Sequence, residues 1–165
     1  MARITFDDLS QVREKHKNER IVFCSGGFDL THAGHVLFFE DCKNQGNVLV
    51  VMVGEDKTLR RKGSERPVLN EHIRMKMVDS LKPVDYTIID DLGAPDKHSL
   101  YAIDLALGEL KPDVYVINVD AFDIPYRQTL AEKHGTELII LERSCPDEFD
   151  KISTTGIIKK IKGLD

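Results

Sequence analysis

Short apolar runs rich in β-branched residues alternate along this chain with longer stretches of helical periodicity. The runs are residues 21–24, 48–53, 84–89, 114–117 and 137–141. Each has the length and composition of a buried strand. Helical patterns fill the intervals at 7–17, 33–44, 70–81, 99–110, 125–134 and 153–162. Asn70 is placed to cap the third of these, and Gly46 and Gly135 are placed to stop the second and fifth. Strands that alternate with helices form a parallel sheet covered on both faces. The expectation is an α/β fold: one Rossmann-like domain over 1–165 with a mainly parallel five-stranded sheet. Residues 1–20 are read as an N-terminal helical extension and 21–165 as the core.

A chain of 165 residues, 41% hydrophobic and 31% charged, is long enough and apolar enough to build such a core. A net charge of −5 argues against a general nucleic-acid surface. No apolar run reaches membrane-spanning length, and the N-terminus lacks the apolar segment of a secretory signal. Cys24, Cys42 and Cys145 show no disulfide or metal-type spacing, so a cytoplasmic protein with reduced thiols is expected, with Cys24 and Cys42 buried.

In parallel sheets of this kind, ligands bind beyond the carboxyl ends of the strands. The segment after the first run reads Gly26-Gly27-Phe28-Asp29-Leu30-Thr31-His32-Ala33-Gly34-His35. Its glycines allow close backbone approach, and the helix that follows points free N–H groups and a positive dipole end at the same place. His32 and His35, three residues apart, share a face of the first turn. Two imidazoles there can donate hydrogen bonds to phosphate oxygens as charge shifts to a leaving pyrophosphate. By itself a His-x-x-His pair is more often surface than site, and no clear third ligand turns it into a metal centre.

Near the C-terminus, Ile152-Ser153-Thr154-Thr155-Gly156 opens the last helix with three hydroxyls, a second place for an anion. Taken alone it is an ordinary N-cap. Between the two motifs, residues 60–66 hold four cations in seven positions, suited to a polyphosphate or a phosphosugar.

The string from Gly27 to His35 resembles the Gly-x-Phe-Asp-x-x-His-x-Gly-His signature of the cytidylyltransferase-like nucleotidyltransferase superfamily. Ile152-Ser153-Thr154-Thr155 resembles that superfamily's second motif. The resemblance implies a Rossmann-like fold and transfer of a nucleoside monophosphate from ATP or CTP, with pyrophosphate released and Mg²⁺ accompanying the triphosphate. It implies that His32 and His35 stabilise the transition state with Lys62. The nucleotide would be held by Gly26, Gly27, Phe28, Asp29, Gly34, Asp120, Arg143, Ser153, Thr154 and Thr155.

The spacing from Lys62 through Arg66-Pro67-Val68 to Arg74 resembles the adenylyltransferase domain of bacterial heptose biosynthesis, so Lys62 and Arg74 are expected to touch substrate phosphates. A sugar 1-phosphate acceptor is the first reading. The second is cytidylyl transfer to glycerol 3-phosphate or a related alcohol phosphate, and an archaeal-type FAD synthetase is more distant. A regulatory module that binds a nucleotide without turnover is the alternative from another class. The glycines expected at the end of the fourth run are replaced by Asn118-Val119, and 144–151 is an insert of unassigned role. The family resemblance also implies a homodimer.

Overall fold

The computed structural model describes residues 2–61, 63, 65–92 and 100–163. Among these residues six parallel strands form one sheet: β1 Ala2–Arg3, β2 Ile21–Gly26, β3 Val48–Gly54, β4 Tyr86–Asp90, β5 Val114–Asn118 and β6 Glu137–Leu141. Their spatial order is β1-β4-β3-β2-β5-β6. Among the described residues seven α-helices accompany them: α1 Leu9–Lys15, α2 Ala33–Lys43, α3 Asp56–Arg60, α4 Glu71–Asp79, α5 Tyr101–Leu110, α6 Ile124–His134 and α7 Thr154–Lys162.

Alternation along the central strands explains the two-sided core. Ile21 and Phe23 of β2 face a cluster with Val50, Tyr115, Leu107 and Leu130, under α1, α5 and α6. Val22 and Cys24 point the other way, toward Leu49, Val114, Phe39 and Val78, under α2 and α4. Successive strand residues must point to opposite faces, so a strand apolar at every position is covered twice. From β2 the chain moves outward through β3 to β4, then returns to place β5 on β2's other side. That reversal between β2 and β5 is where an open parallel sheet leaves a crevice for ligands. Gly26 and Asn118 are the last residues of these two strands.

The expected architecture holds, with several local differences. A sixth strand exists because Ala2 and Arg3 pair with Tyr86 and Thr87. Two residues carry no periodicity, so this pairing leaves no trace in a hydrophobic pattern. It also joins the first twenty residues to the sheet, together with Leu9 and Val12, which are buried in the core. β6 is an edge strand with Glu137 and Ile140 exposed, not a buried one. Helix α3 was not anticipated, its five residues being too few to show a helical repeat. The strand expected from Val84 begins at Tyr86. Ser99, expected to open α5, lies outside the described residues. Cys24 and Cys42 are buried as expected, and Cys145 is exposed. No helix among the described residues is long and apolar enough to cross a membrane.

Candidate active site

The loop from β2 to α2 turns through two non-glycine residues with positive φ, Phe28 at 48° and Leu30 at 46°. Such left-handed backbone is costly for L-residues and persists only where packing enforces it. Phe28 supplies that packing. Its ring is buried, tilted against Phe39 at 4.8 Å and edge-on to His35 at 5.6 Å. A Cβ on Gly26 would lie 2.8 Å from the Phe28 ring, and one on Gly27 would lie 2.7 Å from Leu59. These two glycines therefore make room for Phe28 and Leu59.

Asp29 is 2% exposed. Its carboxylate accepts the N–H groups of Val68 (2.9 Å) and Leu69 (3.0 Å), and Arg66 Nε lies 3.3 Å away. Its carbonyl accepts the Thr154 hydroxyl at 2.8 Å. Asp29 thus pins the loop to the segment after the basic run and to the start of α7. It shapes the turn, and both carboxylate oxygens already have backbone donors.

His32 caps α2. Its Nδ1 accepts the Gly34 N–H at 3.1 Å, and its own N–H donates to His35 Nδ1 at 3.3 Å. The rings stack with centroids 4.0 Å apart and planes inclined by 26°. A ring nitrogen that accepts a backbone N–H carries no proton, so each neutral imidazole keeps its hydrogen on Nε2. The backbone of one helical turn therefore sets both tautomers and leaves two Nε2–H donors side by side. Burial lowers the pKa of His32, and the nearby charge of Arg143 adds to this. His35 is pushed down to about 3 by burial first, then by His32 and Arg143, with Asp29 opposing. Both rings are uncharged at neutral pH. A Cβ on Gly34 would meet the His32 ring at 3.1 Å and Ile152 at 3.5 Å, so glycine is what lets the ring lie against the helix start.

The second motif meets the first. Ser153 caps α7 by accepting the Gly156 N–H at 3.1 Å, and Thr154 reaches Asp29. Thr155 is exposed. Arg143, half exposed, pairs with Asp120 at 2.6 Å. A cavity of about 360 Å³ runs from Gly34 and Ile152 past Arg143 to the ends of β5 and β6. Its walls include Phe149 from the insert, which the sequence pattern did not single out. A lone aromatic residue in a charged loop was the available signal.

Two residues expected at the substrate stand differently. Lys62 lies outside the described residues. Arg74 is fully buried and turned inward. Its Nε donates to Leu69 O (2.9 Å), one terminal nitrogen to Gly27 O (2.6 Å) and the other to Asp56 (2.7 Å). All three sides of the guanidinium fork are engaged with protein, so Arg74 braces the glycine turn from behind and does not face a ligand.

The fold and both motifs agree with what the chain resembles. The cytidylyltransferase-like family model matches residues 23–160. The FAD synthase of Archaeoglobus profundus is 33% identical over 141 residues, 85% of this chain and 84% of that protein. The bifunctional protein HldE of Alcanivorax borkumensis is 34% identical over 151 residues, which are 90% of this chain but only 29% of that longer protein. Among solved structures, a lipopolysaccharide core biosynthesis protein from Thermoplasma volcanium superposes with a TM-score of 0.62 at 29% identity, covering 78% of this chain and 99% of that one. At 15% identity a pantoate-beta-alanine ligase from Francisella tularensis shares the fold, with a TM-score of 0.58 over 98% of this chain and 77% of its own. On the extent of the family match and of the FAD synthase relative, this chain belongs to the cytidylyltransferase-like family and is a nucleotidyltransferase.

Proposed function

We propose that the chain transfers AMP from ATP to a phosphorylated small molecule, with the acceptor a sugar 1-phosphate such as heptose 1-phosphate. The observation that carries the reaction is the pair of Nε2–H donors held by the helix start at the β2–β5 crevice. An acceptor phosphate oxygen attacks the α-phosphorus, a new P–O bond forms, and the bond to the β-phosphate oxygen breaks to release pyrophosphate. The attacking oxygen is already anionic, so no strong base is required. His32 and His35 donate to the phosphate oxygens on which charge grows, and fixed donors of this kind do not reorganise during reaction. The free N–H groups at the start of α7, with Thr155, grip the triphosphate from the other side. Arg143 neutralises charge once it leaves Asp120.

Adenylyl transfer is favoured because the FAD synthase and HldE relatives both point to it. The HldE likeness, with Arg66-Pro67-Val68 following the basic run, supports a sugar phosphate. The FAD synthase likeness spans 84% of that relative and supports a second reading, FMN as acceptor. FAD is FMN joined to AMP through a pyrophosphate, so the same bond changes apply.

Magnesium is expected to arrive with the triphosphate. Among the described residues no group of three His, Cys, Asp or Glu side chains could hold a metal ion. Asp29 is already occupied by the backbone of Val68 and Leu69. These residues do not form a cage for the ion, and no step here is assigned to it.

The test is a pyrophosphate-release screen of ATP and CTP against heptose 1-phosphate, FMN and glycerol 3-phosphate, run on the wild type and on His35→Ala. Release with ATP and the heptose phosphate, falling about 10²–10³-fold in the variant, is expected from loss of one oxyanion-type donor. Near-wild-type turnover by the variant would sink the role of His35. Release only with FMN would decide for the second acceptor, and release only with CTP would overturn the choice of donor.

A further inference from the structure

Strand β6 ends the sheet, and its bonds to β5 fix which backbone groups its outer edge offers. The Glu137 N–H donates to Asp113 O, and the Leu141 carbonyl accepts the Val119 N–H, so the odd-numbered residues face β5. In a parallel ladder each residue turns its N–H and C=O to one side, and the next residue turns them to the other. Leu138 and Ile140 therefore point theirs outward, and among the described residues these groups meet no partner. Native edges are blunted by a lysine, a proline, a bulge or a very short strand. β1, at the opposite edge, has only two residues. β6 has five, Glu137 through Leu141, in an unbroken register and with none of these devices. Ile140 is 44% exposed, and Leu138, Ile139 and Leu141 are only partly covered.

This edge complements itself. Let a second β6 lie antiparallel to it about a two-fold axis at Ile139. Leu138 then stands opposite Ile140 of the second copy and exchanges both backbone hydrogen bonds with it, as the outward groups require. Ile139 meets its own equivalent in a non-hydrogen-bonded pair, where side chains come closest. Leu138 packs on the α5–α6 side of the sheet, and Ile140, two residues on, shares that face. The exposed Ile140 side chain thereby gains an apolar neighbour. Charge agrees with this register. Arg143 follows Leu141 by two residues, so Glu137 lies diagonally across from Arg143 of the second copy, within reach of long side chains. Glu137 pairs with Arg20 at 2.6 Å and Arg143 with Asp120 at 2.6 Å, all four about half exposed. Across the junction the charges alternate: Arg20 and Glu137 of one copy, then Arg143 and Asp120 of the other.

We propose that the partner of this edge is a second copy of the chain, joined antiparallel through β6 into one sheet that runs across the dimer. The exposed face of α4, with Ile73 and Met77, is the competing surface. It offers side chains alone. The β6 edge adds main-chain donors and acceptors in a fixed row, and only a strand can take them all.

Sedimentation velocity of the wild type, Ile140→Lys and Met77→Lys tests the surface. The wild type and Met77→Lys should sediment as dimers. Ile140→Lys, which places a charge on the edge, should sediment as a monomer with unchanged circular dichroism. A monomeric wild type overturns the proposal, and so does a dimer that survives Ile140→Lys and is lost in Met77→Lys. Cross-linking tests the register and decides even where Ile140→Lys does not fold. Ile139→Cys and Ile140→Cys are each made in a Cys145→Ser background, which removes the exposed native thiol, and are oxidised with glutathione disulfide. Two copies of residue 139 face each other with Cα atoms about 4.5 Å apart, a separation that a disulfide can span. Residue 140 faces residue 138 of the other copy. Ile139→Cys should therefore give a disulfide-linked dimer and Ile140→Cys should not. Equal cross-linking of the two variants, or none in either, overturns the two-fold pairing.

Discussion

The Thr154 hydroxyl donates to the carbonyl of Asp29, 125 residues earlier in the chain, at 2.8 Å. This one contact fixes the start of α7 against the loop that carries the histidines. It helps to bring together the two motifs, each of which is expected to take an anion. Thr154→Val keeps the shape of the side chain and removes the donor. The partly buried Asp29 carbonyl then loses its partner, at about 1–3 kcal/mol. The expected result is a raised KM for the nucleoside triphosphate with a small drop in melting temperature, and recovery in Thr154→Ser. A Thr154→Val enzyme with unchanged KM would show that α7 is held by other contacts.

Helix capping by His32 and His35 has a consequence for pH. Their Nδ1 atoms are committed to backbone N–H groups, so protonation of either ring breaks a cap. His35 is held down to about 3, chiefly by burial, against an ordinary value near 6.5. Its depressed pKa means that the unfolded chain takes up a proton which the folded chain refuses. The stabilising contribution is complete above about pH 6.5 and is lost as pH falls toward 3. In NMR titration of the free protein, the His35 ring should stay neutral with its hydrogen on Nε2 from pH 8 down to about pH 5. A His35 midpoint near 6.5 would contradict the buried, capping arrangement.

Arg74 carries a different kind of prediction. Its guanidinium is buried against the Asp56 carboxylate and the Gly27 and Leu69 carbonyls. Removing one partner of a buried charge pair costs about 3–5 kcal/mol, because the other is left unpaired. Arg74→Met should therefore lower stability in urea by that order. An Arg74→Lys variant, unable to form the three-sided fork, should recover only part of it. Should either variant fold with wild-type stability and show only a raised acceptor KM, Arg74 would be a substrate contact after all.

These residues show what can be read from order along the chain. Strand–helix alternation fixed the fold class because β-branched runs such as 48–53 have no other stable home than a doubly covered strand. The capping roles of Asn70 and Ser153 were legible for the same local reason. Arg74 was not, because a basic residue near a basic loop looks alike whether it turns toward solvent or toward Asp56. The distinction depends on a contact 18 residues away. Ala2–Arg3 and α3 were missed because two and five residues are too few to show a period. The cavity was invisible for a related reason. Leu37, Asn118 and Phe149 belong to three separate elements, and only the β2–β5 reversal brings them together.

Asp90 closes β4 beside Glu55 and Asp91, and burial with these two neighbours raises its pKa to about 6. Burial is the larger cause and the two like charges add to it. An acid with a raised folded pKa holds its proton longer in the native state than in the unfolded chain. Stability therefore falls as pH rises from about 4, the ordinary carboxyl value, toward 6, and the deficit is constant above that. Asp90→Asn cannot ionise and escapes the deficit. It should stabilise the protein by up to about 3 kcal/mol at pH 7 and by well under about 1 kcal/mol at pH 4, given 1.36 kcal/mol per pKa unit over a shift of about two units. Chemical denaturation of both proteins at the two pH values measures the difference. A variant less stable than wild type at pH 7 would mean that the Asp90 carboxylate is satisfied when charged, against the effect of its burial and acidic neighbours. Equal gains at both pH values would assign the effect to packing instead of charge.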